Sequence, residues 1–259
     1  MALLTTQDLA VGYRAGKRTT TLLSALNLTL AAGRLVALLG QNGAGKSTLL
    51  RAITCATRPL AGSIRVDGKD VQTMTQTERS RLIGLVSTDR IQAGGLTVTE
   101  LVALGRQPHT GFLGRLSGDD REMVSQAIAR VGMTHKAHEH MAGLSDGERQ
   151  KVMIARALAQ ATPIIVLDEP TAFLDVASRI ETMQLLSSLA HEQGKAVLLS
   201  SHDVSQSLLM ADDLWLITAT RQVVTGTTEQ ILDSDVMNRL FTSQAIKFNR
   251  QILDYQSVS

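Results

Sequence analysis

Leu22, Leu26, Leu28 and Leu30 stand at even spacings, so residues 22–30 are expected to form a strand with one buried face. A short run over 63–66 closes at Asp67-Gly68, a dipeptide suited to a hairpin turn, and the two runs together predict an antiparallel sheet. Residues 35–39 and 82–86 are apolar throughout, as a strand covered on both faces would be. The period then changes to that of a helix over 98–104, 120–131 and 147–160. Strand-like runs return at 164–167, 196–201 and 214–218, separated by helical patterns over 177–191 and 204–210. Alternation of this kind specifies a mostly parallel sheet with helices on both faces. The expected organisation is a single domain, 1–259. Its core and the antiparallel subdomain come from 1–88 and 160–240, a helical insert spans 89–159, and 241–259 form a C-terminal extension.

Composition narrows the function more than the fold. The net charge is +2, and Lys and Arg are scattered, so a dedicated nucleic-acid binder is not expected. The single cysteine, Cys55, cannot form an internal disulfide, which suits a reducing compartment. No stretch of 18 uncharged apolar residues occurs, and residues 1–10 carry polar groups where a signal peptide needs an apolar run. The expectation is a soluble, unexported chain that can still sit on a membrane protein.

Gly40-Gln41-Asn42-Gly43-Ala44-Gly45-Lys46-Ser47-Thr48 lies between the 35–39 strand and a helix opening at Lys46. Glycines at these spacings let successive backbone N–H groups turn inward on phosphates. Lys46 would reach the β- and γ-phosphates, Ser47 would ligate Mg²⁺, and the helix N-terminus would add partial positive charge. The strand 164–167 ends in Asp168-Glu169. Beside such a loop, Asp168 would hold Mg²⁺ and Glu169 would orient and deprotonate an attacking water.

Leu144-Ser145-Asp146-Gly147-Glu148 precedes a helical run. Ser145 with Glu148 three residues on also reads as a capping box, and the two readings can coexist. With the phosphate loop upstream and Asp168-Glu169 downstream, the chain resembles the ATP-binding subunit of an ABC transporter. The segment 144–148 matches the LSGGQ signature of that family, with Asp146 and Glu148 as substitutions. The resemblance runs from Tyr13 to about Phe241.

That resemblance implies an ATPase using ATP and Mg²⁺, in which the signature of one subunit closes over ATP held by another, making a homodimer. Asp146 is then expected to turn its side chain away from the γ-phosphate. His202 matches the switch histidine, Tyr13 the aromatic that stacks on adenine, and Asp175, after Ala172-Phe173-Leu174, the loop that communicates across the dimer. A glutamine usually follows the 82–86 strand, touching Mg²⁺ and sensing the membrane partner. Here Thr88 takes that register, with Gln92 as a possible substitute.

The segment 101–109, Leu-Val-Ala-Leu-Gly-Arg-Gln-Pro-His, resembles importers of iron-siderophores, haem and cobalamin, and places Gly105 to His109 near a permease or in a local loop. Implied partners are permease subunits, expected to be two, and indirectly a substrate-binding protein, at the cytoplasmic face of a bacterial inner membrane. The alternative is a soluble ATPase clamp in cluster assembly or DNA maintenance. His135, His138 and His140 have a metal-like spacing but read as a solvated connection, because no second ligand cluster accompanies them.

Overall fold

The computed structural model describes residues 1–16, 18–87, 95–111, 114–172, 174–240 and 246–257. Strand β1 (Ala2–Ala15) pairs antiparallel with β2 (Arg18–Leu26) along its second half and with β3 (Thr29–Ala31) along its first. The single strand expected over 22–30 is therefore two. Ala25 takes a positive φ of 54°, and the β1–β2 register shifts, so Leu23 and Leu26 are buried while Leu22 is only half-buried. Leu26, Leu28 and Leu30 keep the alternation that the pattern predicts.

Strand β4 (Arg34–Gly40) leads into helix α1 (Lys46–Ile53). Strands β5 (Ala61–Val66) and β6 (Lys69–Asp70) form the hairpin expected at Asp67-Gly68, both of which have positive φ. Helix α2 (Gln76–Leu82) has no buried residue, so no apolar period announces it. It is started by a capping box between Thr75 and Glu78. Strand β7 (Ile83–Val86) follows, and α3 (Val98–Ala103), α4 (Gly118–Arg130) and α5 (Asp146–Ala159) come before β8 (Ile164–Leu167).

Helix α6 (Val176–His191), β9 (Ala196–Ser201), α7 (Val204–Met210) and β10 (Asp213–Ile217) continue the alternation. Strand β11 (Val223–Thr227) returns antiparallel to β10, and α8 (Thr228–Leu232) follows it. A terminal hairpin, β12 (Ile246–Asn249) with β13 (Asp254–Ser257), lies within the C-terminal extension. It is tied back by Tyr255, whose hydroxyl donates to the Met237 carbonyl, and by Ser205, which donates to Leu253.

The six-stranded sheet has the order β11-β10-β4-β9-β8-β7, parallel except at β11. Its strands bury alternate residues in two different cores. Leu35, Ala37, Leu39, Ile165, Leu167, Val197 and Leu199 face the helices α3 to α6. Val36, Leu38, Ile164, Val166, Leu198 and Trp215 face α1 and the antiparallel sheet. Each fully buried side chain of this size contributes about 1.5–3 kcal/mol, so both faces must be covered for the parallel sheet to hold. The molecule is thus a P-loop NTPase core with an N-terminal antiparallel sheet and helices inserted between β7 and β8.

Candidate active site

Strands β4, β9 and β8 are immediate neighbours, and each delivers one predicted group from its C-terminal end, where open parallel sheets bind ligands. The loop 40–48 follows β4, Asp168-Glu169 follows β8, and His202 follows β9. Register aligns them. Leu39 pairs with Ser201 and Leu167 with Leu199, so residues 162 and 32 positions apart meet at one edge.

Gly43 and Gly45 have φ of 78° and 109°, the left-handed region that glycine enters without a Cβ penalty. Gly45 caps α1, and Lys46 opens it. The Lys46 ammonium is almost wholly buried, donating to the Gly40 carbonyl at 2.8 Å and the Gln41 carbonyl at 3.4 Å. Burial pushes its pKa down, opposed by the charges of Glu169 and Asp168. Ser47 is exposed, as are Asn42 and Gly43, while Ala44 and Thr48 are half-buried. Gln41 donates from its side chain to the Leu240 carbonyl at 2.9 Å, tying the loop to the chain before the terminal hairpin.

Asp168 is 8% exposed, and its Oδ1 accepts a 2.7 Å hydrogen bond from Ser200 Oγ. The same hydroxyl oxygen accepts the Glu169 N–H at 2.9 Å. One serine of β9 therefore holds the Asp168 carboxylate and the Glu169 backbone just after β8. Sequence reasoning missed it, although two serines ending an otherwise apolar strand were a signal. Glu169 has φ of 47°, an uncommon conformation for a residue with a Cβ, and such strain gathers at functional sites. Its Oε1 lies 3.9 Å from Lys46 Nζ, and its Oε2 lies 3.7 Å from His202 Nδ1. Lysine, glutamate and histidine thus form one line across the strand ends.

Tyr13 lies inside β1, opposite Thr20, and is 55% exposed. Ser145 is the N-cap of α5 and forms a full capping box with Glu148. Asp146 accepts from Arg149 at 3.2 Å with its side chain half exposed, so its carboxylate has a cation of its own. Leu144 is buried, and a Cβ on Gly147 would stand 3.4 Å from Ser178 Oγ and 3.7 Å from Leu174, which packs the signature against the start of α6. Asp175 caps α6, accepting the Ser178 N–H and hydroxyl at 2.9 Å each. The signature and Asp175 are not among the groups that converge on Lys46.

The segment 104–109 is built into the helical layer. A Cβ on Gly105 would collide with the Arg156 carbonyl of α5. Buried Arg106 pairs with Asp120 at 2.8 Å and donates to the Ala159 carbonyl, and His109 Nε2 meets the Gln160 carbonyl at 2.9 Å. Two hydrogen bonds from Ser117 and the Arg106 contact hold the Asp120 carboxyl down to about 2. Thr88 and Gln92, the residues expected to sense Mg²⁺ and a membrane partner, lie outside the described residues.

Three comparisons bear on this geometry. Residues 23–172 match the model of the ABC transporter family. The ferric enterobactin transport ATP-binding protein FepC of Escherichia coli (strain K12) is 37% identical over 243 residues, covering 93% of this chain and 88% of that protein. An inward-facing metal-chelate type ABC transporter, described as putative, is similar at a TM-score of 0.80 and 31% identity, over 93% of this chain and 89% of that one. A dimeric ATP-binding cassette in a post-hydrolysis state, bound to ADP and Pi, is similar at a TM-score of 0.70 and 29% identity, over 82% of this chain and 93% of that one. With the family model matched over residues 23–172 and relatives matched along most of its length, this chain is an ATP-hydrolysing cassette and belongs to the ABC transporter family.

Proposed function

We propose that this ATPase powers a bacterial importer of metal chelates, binding ATP between two copies of itself and acting on two permease subunits at the cytoplasmic face of the inner membrane. The likeness to an enterobactin transport subunit and to a metal-chelate type transporter supports the substrate class. A substrate-binding protein would act on the far side of the permease. No helix among the described residues is long and apolar enough to cross a membrane, so membrane contact would pass through the permease. The helical insert 89–159, which carries the signature, and the core segments 1–88 and 160–240 are read as subdomains of one ATPase domain.

The observation that carries the catalytic assignment is the Lys46–Glu169–His202 line. Lys46 and the loop amides of residues 41–48 would bind the β- and γ-phosphates, and Tyr13 would stack on adenine. Glu169 would take the proton of the attacking water, with His202 near the γ-phosphate. Ser47 Oγ and Asp168 offer the hard oxygen donors that Mg²⁺ prefers, and Ser200 occupies only Oδ1 of that carboxylate. When bound there, Mg²⁺ would neutralise charge on the β- and γ-phosphates. Ser145 and the Gly147 amide would meet ATP held by the other subunit, with Asp175 beside them at the dimer interface. ATP then drives closure because the closed dimer binds it more tightly than the open one.

Glu169→Gln tests this reading. It is expected to bind ATP, to lose turnover and to run as an ATP-dependent dimer on gel filtration; a persistent monomer with ATP would count against it. Co-purification with the permease and identification of the chelate it carries would test the substrate class.

A further inference from the structure

The signature turn carries two carboxylates where the proposed ATP contact requires an anion to approach. Asp146 is matched by Arg149 within its own helix, and that guanidinium also donates to the carbonyls of Met141 at 3.1 Å and Ala142 at 3.0 Å. Glu148 is matched from further away. Lys136, at the end of the turn Thr134–Lys136, places Nζ 2.7 Å from Glu148 Oε1. The other oxygen, Oε2, accepts the Ser145 N–H at 2.9 Å and the Ser145 hydroxyl at 3.1 Å, while the Glu148 N–H donates to Ser145 Oγ at 3.3 Å. Each carboxylate oxygen thus has a separate task. Both side chains are shielded, at 23% and 27% exposure for Lys136 and Glu148.

We propose that Lys136 is a positioning residue for the trans ATP contact: by pairing with Glu148 it offsets the negative charge beside Ser145 and steadies the capping box that sets Ser145 at the start of the helix, where the phosphate would approach. This rests on the reading of Ser145 as a contact to the other subunit's ATP. The physical reason is electrostatic. A helix N-terminus attracts phosphate through its amides, but an unpaired carboxylate in the first turn repels it at the same short range. Pairing sets a cation 2.7 Å from that carboxylate, nearer than the 3.8 Å to the more exposed Glu139, so the repulsion felt beside Ser145 is reduced. Without Lys136, Glu148 would lose the anchor at Oε1, loosening the Oε2 grip on Ser145. Lys136 comes from the connection between α4 and α5, so the cation is supplied across the fold of the helical layer.

The test measures turnover against ATP concentration for the full chain. Lys136→Met is expected to raise half-saturating ATP on the order of tenfold, with single-subunit ATP affinity by calorimetry unchanged, because the phosphate loop is elsewhere. Lys136→Arg restores the charge and should behave as the parent. Adding Glu148→Gln to Lys136→Met removes the stranded charge and should return half-saturating ATP to that of Glu148→Gln alone. A purely structural pair would leave the double variant as impaired as Lys136→Met, and that outcome overturns the proposal. Ser145→Arg separates the two readings. If it abolishes turnover while Lys136→Met changes nothing, the Lys136 proposal fails alone; if Ser145→Arg is harmless, the signature reading fails and takes the proposal with it.

Discussion

The hydroxyl of Ser200 donates to Oδ1 of Asp168 at 2.7 Å. Because its oxygen also accepts the Glu169 N–H, one side chain of β9 ties down both acidic residues that follow β8. Asp168 is buried, so a lost partner leaves a carboxylate oxygen without compensation.

Ser200→Ala should therefore lower stability by about 1–3 kcal/mol. Its turnover should fall more than its ATP affinity, since Lys46 and the loop are untouched. Urea unfolding and steady-state ATPase assays check the two effects, and Ser200→Thr, which keeps the hydroxyl, should recover part of each.

Lys46→Ala removes the ammonium beneath the phosphate loop while the loop glycines keep their conformation. Calorimetry should show ATP binding lost to beyond detection, with the chain still folded by circular dichroism. Unchanged affinity would refute the role given to Lys46.

Gly105 allows the turn after α3 to rest directly on the Arg156 carbonyl, with the Ala159 methyl 3.2 Å from where a Cβ would stand. The nearest obstacle is helix backbone and cannot rotate away. Gly105→Ala should cost about 1–3 kcal/mol through overpacking, read as a lower urea midpoint. Gly111→Ala, whose added Cβ would meet nothing within 4 Å among the described residues, is the matched control.

The Glu148 carboxyl is held down to about 2, first by Lys136 and then by the Ser145 N–H and hydroxyl. An ordinary glutamate titrates near ~4.3. Its folded value lies below its unfolded one, so the stability it adds is present above pH ~4.3 and is lost as pH falls towards 2. Carboxyl NMR of the full chain should find Glu148 still ionised at pH ~3.5, whereas in Lys136→Met its midpoint should move up towards the ordinary value.

Legibility followed apolar periodicity and motif density. Strands β4, β8, β9 and β10 were readable because each is a short run buried on both faces, and α5 to α7 because their patterns are bounded by capping residues. Helix α2 escaped because it buries nothing, and the terminal hairpin because its strands are short and polar. The break at Ala25 escaped because a bulge shifts the burial phase without changing the residue types around it. Ser145 was legible twice over, as a motif residue and as a helix cap, and its capping box is present.

The sequence by itself determined that this chain grips a triphosphate: Gly43, Gly45, Lys46 and Ser47 are local, and a loop between strand and helix needs only nearby residues to form. The order β4-β9-β8 was decided by tertiary structure alone, since lateral pairing of parallel strands leaves no local trace in the chain. So were the Ser200 bond to Asp168 and the Lys136 pair with Glu148, 32 and 12 residues apart. These contacts depend on which surfaces pack, and packing is settled by the burial of two apolar faces at once.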